Sequence, residues 1–452
     1  MSPTAANALP LAQAALEIAE GRLSSVEMVE SCLQAIAARE DEIGAFAFLD
    51  RAHALRQAEA ADAHRRAGKA LGPLHGVPLG IKDIFDTADM PTEFGSPIHA
   101  GRMPRRDAAC VARLRAAGAV ILGKTVTTEF AYFHPGKTRN PHDPQRTPGG
   151  SSSGSAAAVA AHMAPGAIGS QTNGSVIRPA SFCGVVGFKP SHGLIPRSGA
   201  LLLSRALDHV GVFARTVEDA ALLAQTMAGH HEDDPDTRVV ATPPLAATAR
   251  QKPPLPPRLA FVRTAVWEQT EPATRQAFAA LNERLGESVE EIDMNLSTSA
   301  IHDLHATIMQ VEMAENLRQE YERARDRLSA PLLEIVEQGR SRLAVDYRRA
   351  LDLVAPVRAA ISSVFDEFDA VVTPAAPGEA PMGLDSTGSP VFCTIWTWFG
   401  LPAICLPLLQ GDHGMPIGVQ LVGRHGDDAR LLRTAQWLAG ILAAKRGKGR
   451  KR

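Results

Sequence analysis

Two neighbouring stretches decide how the chain is read: Pro148-Gly-Gly-Ser-Ser-Ser-Gly-Ser-Ala-Ala-Ala-Val-Ala-Ala161 and Gly169-Ser-Gln-Thr-Asn-Gly-Ser-Val-Ile-Arg-Pro-Ala180. Both are dense in Gly, Ser and Ala, and a helix-like run covers Ser155 to Met163. A flexible linker would not run into an Ala-rich helix and then into a second Gly/Ser cluster. Within the first stretch, Gly150-Ser-Ser-Ser-Gly154 fits the GxSxG nucleophile elbow with Ser152 at its centre. An elbow needs a strand feeding directly into it. The preceding Asn140-Pro-His-Asp-Pro-Gln-Arg-Thr-Pro148 carries three prolines, which cannot pair in a central strand. An α/β-hydrolase-type esterase using Ser152, with a downstream acid and His209, stays open as an alternative.

Outward from these stretches, helices and strands alternate. Ser24 and Glu27 have capping-box spacing, and Val26, Val29, Leu33 and Ile36 recur at helical spacing behind them. A second helical segment covers 51–67, and Gly76-Val-Pro-Leu-Gly-Ile-Lys-Asp-Ile-Phe85 reads as a short apolar strand carrying one lysine. Gly118-Ala-Val-Ile-Leu-Gly-Lys-Thr125 matches the GxxxxGK[ST] pattern of a phosphate loop, but Ala-Val-Ile-Leu prefers a buried strand to a backbone cradle. Further on come a helix at 216–227, a surface connection at 230–257, a strand at 259–262 and charged helices across 271–368. Strands at 370–373, 403–406 and 417–422 and a helix at 428–443 complete the chain. This alternation predicts one large α/β domain whose mixed, mostly parallel central sheet is covered by helices on both faces. Residues 1–70 are expected as a helical segment packing on a core of 71–452, with a basic tail at 445–452.

The chain has 452 residues, 45% of them apolar, enough to bury a large core. Forty-seven Lys+Arg against 49 Asp+Glu give a net charge of −2, which argues against a general affinity for nucleic acid or anionic membrane. The five cysteines are odd in number, widely spaced and without a CxxC pair, the pattern of reduced core residues. With no secretory leader and no spanning segment, the expected location is cytoplasmic. His230-His231 beside Glu232 lacks metal-ligand spacing, so no metal is expected.

The quoted stretches, together with Phe182-Cys-Gly-Val-Val-Gly-Phe-Lys-Pro190, Gly76-Val-Pro-Leu-Gly-Ile-Lys-Asp83, Gly400-Leu-Pro-Ala403 and Met415-Pro-Ile-Gly-Val-Gln420, resemble the amidase signature family over roughly residues 20 to 440. Lys82-Asp-Ile-Phe-Asp-Thr-Ala-Asp-Met-Pro-Thr-Glu93, Gln171-Thr172 and Ser175-Val-Ile-Arg-Pro179 most resemble malonamidase-like small-amide hydrolases. The resemblance implies a serine hydrolase that uses lysine in place of histidine and needs no cofactor. Ser175 would be the nucleophile, Ser151 a bridging serine in a cis peptide after Gly150, and Lys82 the base. The backbone N–H groups of Thr172, Asn173, Gly174 and Ser175 would form the oxyanion hole, and Arg178 would hold a substrate carboxylate, as on malonamate. The sequence departs from the commoner family pattern at Gln171, where many members have Asp, and at Asn173, where many have Gly. An alternative within the same chemistry is the glutaminase (A) subunit of a tRNA-dependent amidotransferase. The expected partner is a small-molecule amide, with no nucleic acid and no membrane, and a homodimer is the expected assembly.

The chemistry asks for these residue types. A serine hydroxyl is a poor nucleophile until its proton is taken, and a free lysine leaves only roughly one amine in 2,500 neutral at pH 7. Lys82 lies between Ile81 and Ile84-Phe85, where desolvation disfavours the ammonium form. Asp83 is expected on the opposite face of the strand. Gly174 leaves room for substrate to approach backbone donors. Trp396, Trp398 and Phe130 are candidates either for the acyl pocket or for the core.

Overall fold

The computed structural model describes residues 5–294 and 298–449. Among these residues the β-branched and glycine-punctuated runs form eleven strands: β1 (Phe46–Leu49), β2 (Pro78–Lys82), β3 (Val120–Thr125), β4 (Gly166–Gln171), β5 (Val186–Lys189), β6 (His209–Ala214), β7 (Leu259–Val262), β8 (Val289–Ile292), β9 (Ala370–Pro374), β10 (Ala403–Gln410) and β11 (Pro416–Val422). They hydrogen-bond into one sheet in the order β1-β3-β2-β4-β6-β5-β10-β11-β9-β7-β8. The phosphate-loop lookalike is β3, buried along its length.

The sheet is mixed, as expected, but the expectation that it is mostly parallel is corrected. Only the β3-β2-β4 and β9-β7-β8 groups are parallel, while the other six pairings are antiparallel. Helix-strand alternation implies crossover connections between parallel neighbours. That reasoning fails in the centre, where β10 and β11 form a hairpin through 411–415 and where β6 inserts between β4 and β5. The N-terminal segment is helical only in part, because it also supplies the edge strand β1.

The helices that bear on the site are α1 (Ser25–Ile43), α2 (Ser153–Ala160), α3 (Ile177–Cys183), α4 (Thr298–Asn316), α5 (Val391–Trp398) and α6 (Asp428–Gly449). The capping box at α1 is formed: Glu27 N donates to Ser24 Oγ (3.1 Å) and Ser24 N donates to Glu27 Oε2 (2.7 Å), a device that stabilises a helix by about 1 kcal/mol. Helix α2 explains the Gly/Ser/Ala density of the first quoted stretch. It is buried against the sheet, Ser155 Oγ donates to Ile168 O of β4 (2.8 Å), and a Cβ on Gly154 would stand 2.2 Å from Ala45 O. Only small side chains permit that approach.

One hydrophobic cluster runs from Leu11 to Leu442 and joins the N-terminal segment to the rest of the chain. The 230–257 connection contains one short helix (Leu245–Ala249) and exposes Val239 and Leu255. Helix α6 carries the start of the basic tail, and residues 450–452 lie outside the described ones. All five cysteines are buried and free. Among the described residues no helix is long and apolar enough to cross a membrane, and no His/Cys/Asp/Glu group could hold a metal ion.

Candidate active site

The parallel register of β2 and β4, with Ile81 opposite Ile168, puts the carboxyl ends of both strands at one edge of the sheet, the edge where α/β sheets commonly bind ligands. Lys82 ends β2 and Ser170 lies one residue before the end of β4. The Lys82 side chain is 0% exposed. Its Nζ donates to Ser151 Oγ (2.7 Å) and to Ser170 Oγ (2.8 Å). The Gly150–Ser151 peptide is cis. Ser170 escaped the sequence reading because a serine inside a glycine-rich strand has no signature of its own. Only the pairing of β4 with β2 singles it out.

Burial drives the Lys82 amine well below the usual lysine range, and the charge of Asp208 is the smaller, opposing influence. Asp208 is itself engaged, accepting Thr172 Oγ1 (2.6 Å), Leu203 N (2.8 Å) and Ser204 N (3.0 Å), and burial pushes its carboxyl up. Asp83 turns away from Lys82, as strand alternation requires, and its Oδ1 lies 3.4 Å from Lys124 Nζ. The Lys82 amine therefore has no carboxylate paired to it among the described residues, and an uncharged amine is the form that such a setting favours.

The loop after β4 is turned so that its acceptors and side chains are tied back to the protein. Gln171 Oε1 accepts Val176 N (2.8 Å) and Ile177 N (3.0 Å), covering the start of α3, and Gln171 Nε2 donates to Thr397 Oγ1 (3.0 Å). A neutral amide at residue 171 thus performs this bridging without a charge. The carbonyl of Thr172 meets His305 Nε2 (3.0 Å) and that of Asn173 accepts Thr397 Oγ1 (2.6 Å). Asn173 Oδ1 accepts Thr394 Oγ1 (2.8 Å), which anchors that side chain on α5. The N–H groups of Thr172, Asn173, Gly174 and Ser175 have no protein acceptor among the described residues. Such a row of unpaired donors can stabilise an oxyanion. A Cβ on Gly174 would stand 2.8 Å from Pro390 Cβ, so packing against the start of α5 also requires a glycine there.

Ser175 is half-buried and lines a narrow cleft with Thr172, Asn173, Gly174 and Arg178. Its Oγ makes no hydrogen bond among the described residues, so the geometry joins Lys82 to Ser151 directly and leaves Ser175 on the cleft wall. The remaining walls include Tyr132, Phe133, Leu203, Met309 and Met313. The space is about 20 Å³, little more than one water needs. An acyl group enters only if a wall moves, and the flexible methionines are the side chains best able to yield. Phe130 (φ 45°) and Ala131 (φ 55°) both occupy the left-handed region, at a cost of about 1–3 kcal/mol each. The chain reverses there to bring Ala131, Tyr132 and Phe133 to the cleft.

Arg178 is 2% exposed and no carboxylate pairs with it among the described residues. Its Nη1 donates to Gly388 O (2.5 Å) and its Nη2 to Gly150 O (2.7 Å), while Nε has no partner. Burial lowers the guanidinium pKa to about 10. The residue therefore braces the carbonyl next to Ser151 and also brings an uncompensated positive charge to the cleft.

Other candidates fall away. Ser152 is fully buried, with its Oγ donating to Ser170 O (3.2 Å) and accepting Ser170 N (3.3 Å). No strand leads into it, so the esterase alternative using Ser152 is corrected. His209 sits within β6, buried, with Nδ1 2.6 Å from Leu207 O. Trp396, Trp398 and Phe130 belong to the core. Lys189 is buried with Nζ bonded to Leu401 O.

The profile of the family described as Amidase matches residues 27–432. The chain is 36% identical to the A subunit of the glutamyl-tRNA(Gln) amidotransferase of Chloroflexus aggregans (strain MD-66 / DSM 9485), over 94% of each chain. Among solved structures, it resembles a chain from a vestigial protein complex tied to the evolutionary origins of an s-triazine catabolic enzyme (TM-score 0.89, 29% identity, 97% of this chain and 98% of that one). It also resembles the peptide amidase PAM in complex with the competitive inhibitor chymostatin (TM-score 0.83, 29% identity, 95% and 97%).

These relatives correct the expectation of a small-molecule amide as sole partner, with no nucleic acid. A protein this similar along nearly its whole length belongs to an amidotransferase named for a transfer RNA. The expectation of no nucleic acid rested on the net charge of −2, which speaks only to a general electrostatic affinity of this chain and not to membership of a larger assembly.

Proposed function

The chain belongs to the amidase family and acts on amide carbon–nitrogen bonds, and from this premise we propose that Ser175 is the nucleophile, Ser151 and Lys82 the proton relay, and residues 172–175 the oxyanion hole. The observation that carries the reading is the Lys82 amine: buried, without a paired carboxylate among the described residues, and 2.7 Å from Ser151 Oγ. A neutral amine has a lone pair to receive a proton, and burial favours that form of Lys82.

Ser175 Oγ attacks the amide carbonyl while its proton passes to Ser151, which gives its own proton to Lys82. The oxyanion is met by the unpaired N–H groups of the loop. Collapse breaks the C–N bond as the relay returns the proton to the departing nitrogen, and ammonia or an amine leaves behind an ester on Ser175. Water then attacks, the relay takes its proton, and the carboxylate product and Ser175 hydroxyl are regenerated.

The preferred substrate in this reading is a linear amide bearing a carboxylate, such as malonamate. A buried guanidinium without a counter-ion is costly, and a substrate carboxylate at Arg178 would compensate it. The test is the ratio of kcat/KM for malonamate to that for propionamide, in wild type and Arg178→Ala. Any general loss from the unbraced Gly150 carbonyl cancels in the ratio. The ratio is expected to fall about tenfold or more; an unchanged ratio overturns the carboxylate assignment.

A second reading is supported by the amidotransferase relatives: the same centre releases nitrogen from glutamine, itself a carboxylate-bearing amide, for use by a partner chain. Slow turnover of glutamine and malonamate by the isolated chain, together with co-purifying partner chains, would favour this reading over a free-standing hydrolase.

A further inference from the structure

A second cavity, of about 330 Å³, opens between the 191–194 turn, the 236–243 connection and the start of α6, and shares no lining residue with the Ser175 cleft. Arg238, His192 and His425 line it. Arg358 reaches the same region: its Nη1 donates to Phe399 O (3.3 Å) and lies 3.7 Å from where a Gly400 Cβ would stand, a point 3.0 Å from His192 Cβ. Neither Arg238 nor Arg358 pairs with a carboxylate among the described residues, and the His425 ring has no hydrogen bond there. The acidic groups of the cavity are already committed. Asp236 pairs with Arg197 and Arg205, and Asp428 accepts Ser191 N (2.8 Å) and Ser191 Oγ (2.6 Å).

Arg238 and two imidazoles thus line one concave site with Arg358 beside it, and the site's two carboxylates, Asp236 and Asp428, are engaged by other groups rather than by these guanidinium charges. The crowding has an electrostatic signature. The His425 pKa falls to about 4, chiefly through burial and then through Arg358, His192 and Arg238, and Arg238 also lowers Arg358. We propose that this cavity binds a small organic dianion of the phosphomonoester class, with Arg238 and Arg358 holding the phosphate. Two free guanidinium charges match a dianion and suit the forked geometry of phosphate oxygens. Val240 and Pro243 supply apolar wall for the organic part. A volume of about 330 Å³ is that of a small-molecule site, whereas the phosphates of an extended strand are met along open grooves.

The test is calorimetric titration of the full chain with glycerol 3-phosphate, and separately with inorganic phosphate, at constant ionic strength. Saturable one-site binding is expected, weakened about tenfold or more in the Arg238→Gln/Arg358→Gln double variant, with amide turnover unchanged. If the double variant does not fold, Arg238→Glu alone serves, because Arg238 is exposed and makes no side-chain bond among the described residues. No saturable binding of either probe, or equal affinity in the variants, overturns the proposal. So does tighter, arginine-dependent binding of a single-stranded RNA oligonucleotide, which would make the cavity a backbone contact.

Discussion

Ser170 Oγ stands 2.8 Å from Lys82 Nζ, essentially as near as Ser151 Oγ on the other side of the same amine. A lysine that takes up a proton during the reaction gains a third donor and needs acceptors for all of them. Ser170 supplies one that the sequence motif does not advertise. Ser170→Ala is expected to lower kcat roughly 10- to 100-fold with little change in KM, the cost of leaving one buried donor unmet, and Ser170→Thr should recover part of the loss. Steady-state kinetics of both variants across pH separate this role from a structural one, because only a group that stabilises the ammonium form moves the acid limb of the profile.

The depressed pKa of Lys82 fixes the sign of the pH response. The base works only when neutral, so kcat/KM should fall as pH drops through the lowered value and should already be level well before the ordinary lysine range near 10.4. Between the folded and unfolded values the unfolded chain binds one more proton, so this group's contribution to stability rises with pH across that window. A kcat/KM profile that climbs until pH 10 would contradict the assignment.

How much of this was legible in the sequence differs from residue to residue. Lys82, Ser151 and Ser175 stand in runs that resemble the family's motifs, and the β3, β7, β9 and β11 segments are apolar enough to read directly. Strand β4, Gly166–Gln171, was not legible. It has little intrinsic strand preference and pairs because its glycines let neighbours approach closely: a Cβ on Gly169 would stand 2.6 Å from Ser152 Oγ. The antiparallel centre of the sheet was hidden for a related reason, since pairing there follows from packing between segments far apart in the chain. The cleft walls were not legible: Trp396 and Trp398, open between acyl pocket and core, both belong to the core. Tyr132 and Phe133 reach the cleft only through the backbone reversal at Phe130 and Ala131.

Lys124 and Asp83 form a buried pair behind the site, 3.4 Å apart, with burial lowering the lysine to about 8 and raising the aspartate. Lys124→Met leaves the Asp83 carboxyl without its partner and should destabilise the protein by about 3–5 kcal/mol. Adding Asp83→Asn should restore part of this. Denaturant unfolding of the two single variants and the double gives the coupling, and additive losses would mean that the pair does not act as a unit.

The most direct test of the central claim is mass spectrometry of the protein after reaction with a fluorophosphonate, which forms a stable adduct only with an activated serine. The prediction is one adduct, on the peptide containing Ser175, absent in Ser175→Ala and strongly slowed in Lys82→Ala while both variants remain folded. An adduct on Ser152, or labelling that persists at full rate without the Lys82 amine, would contradict it.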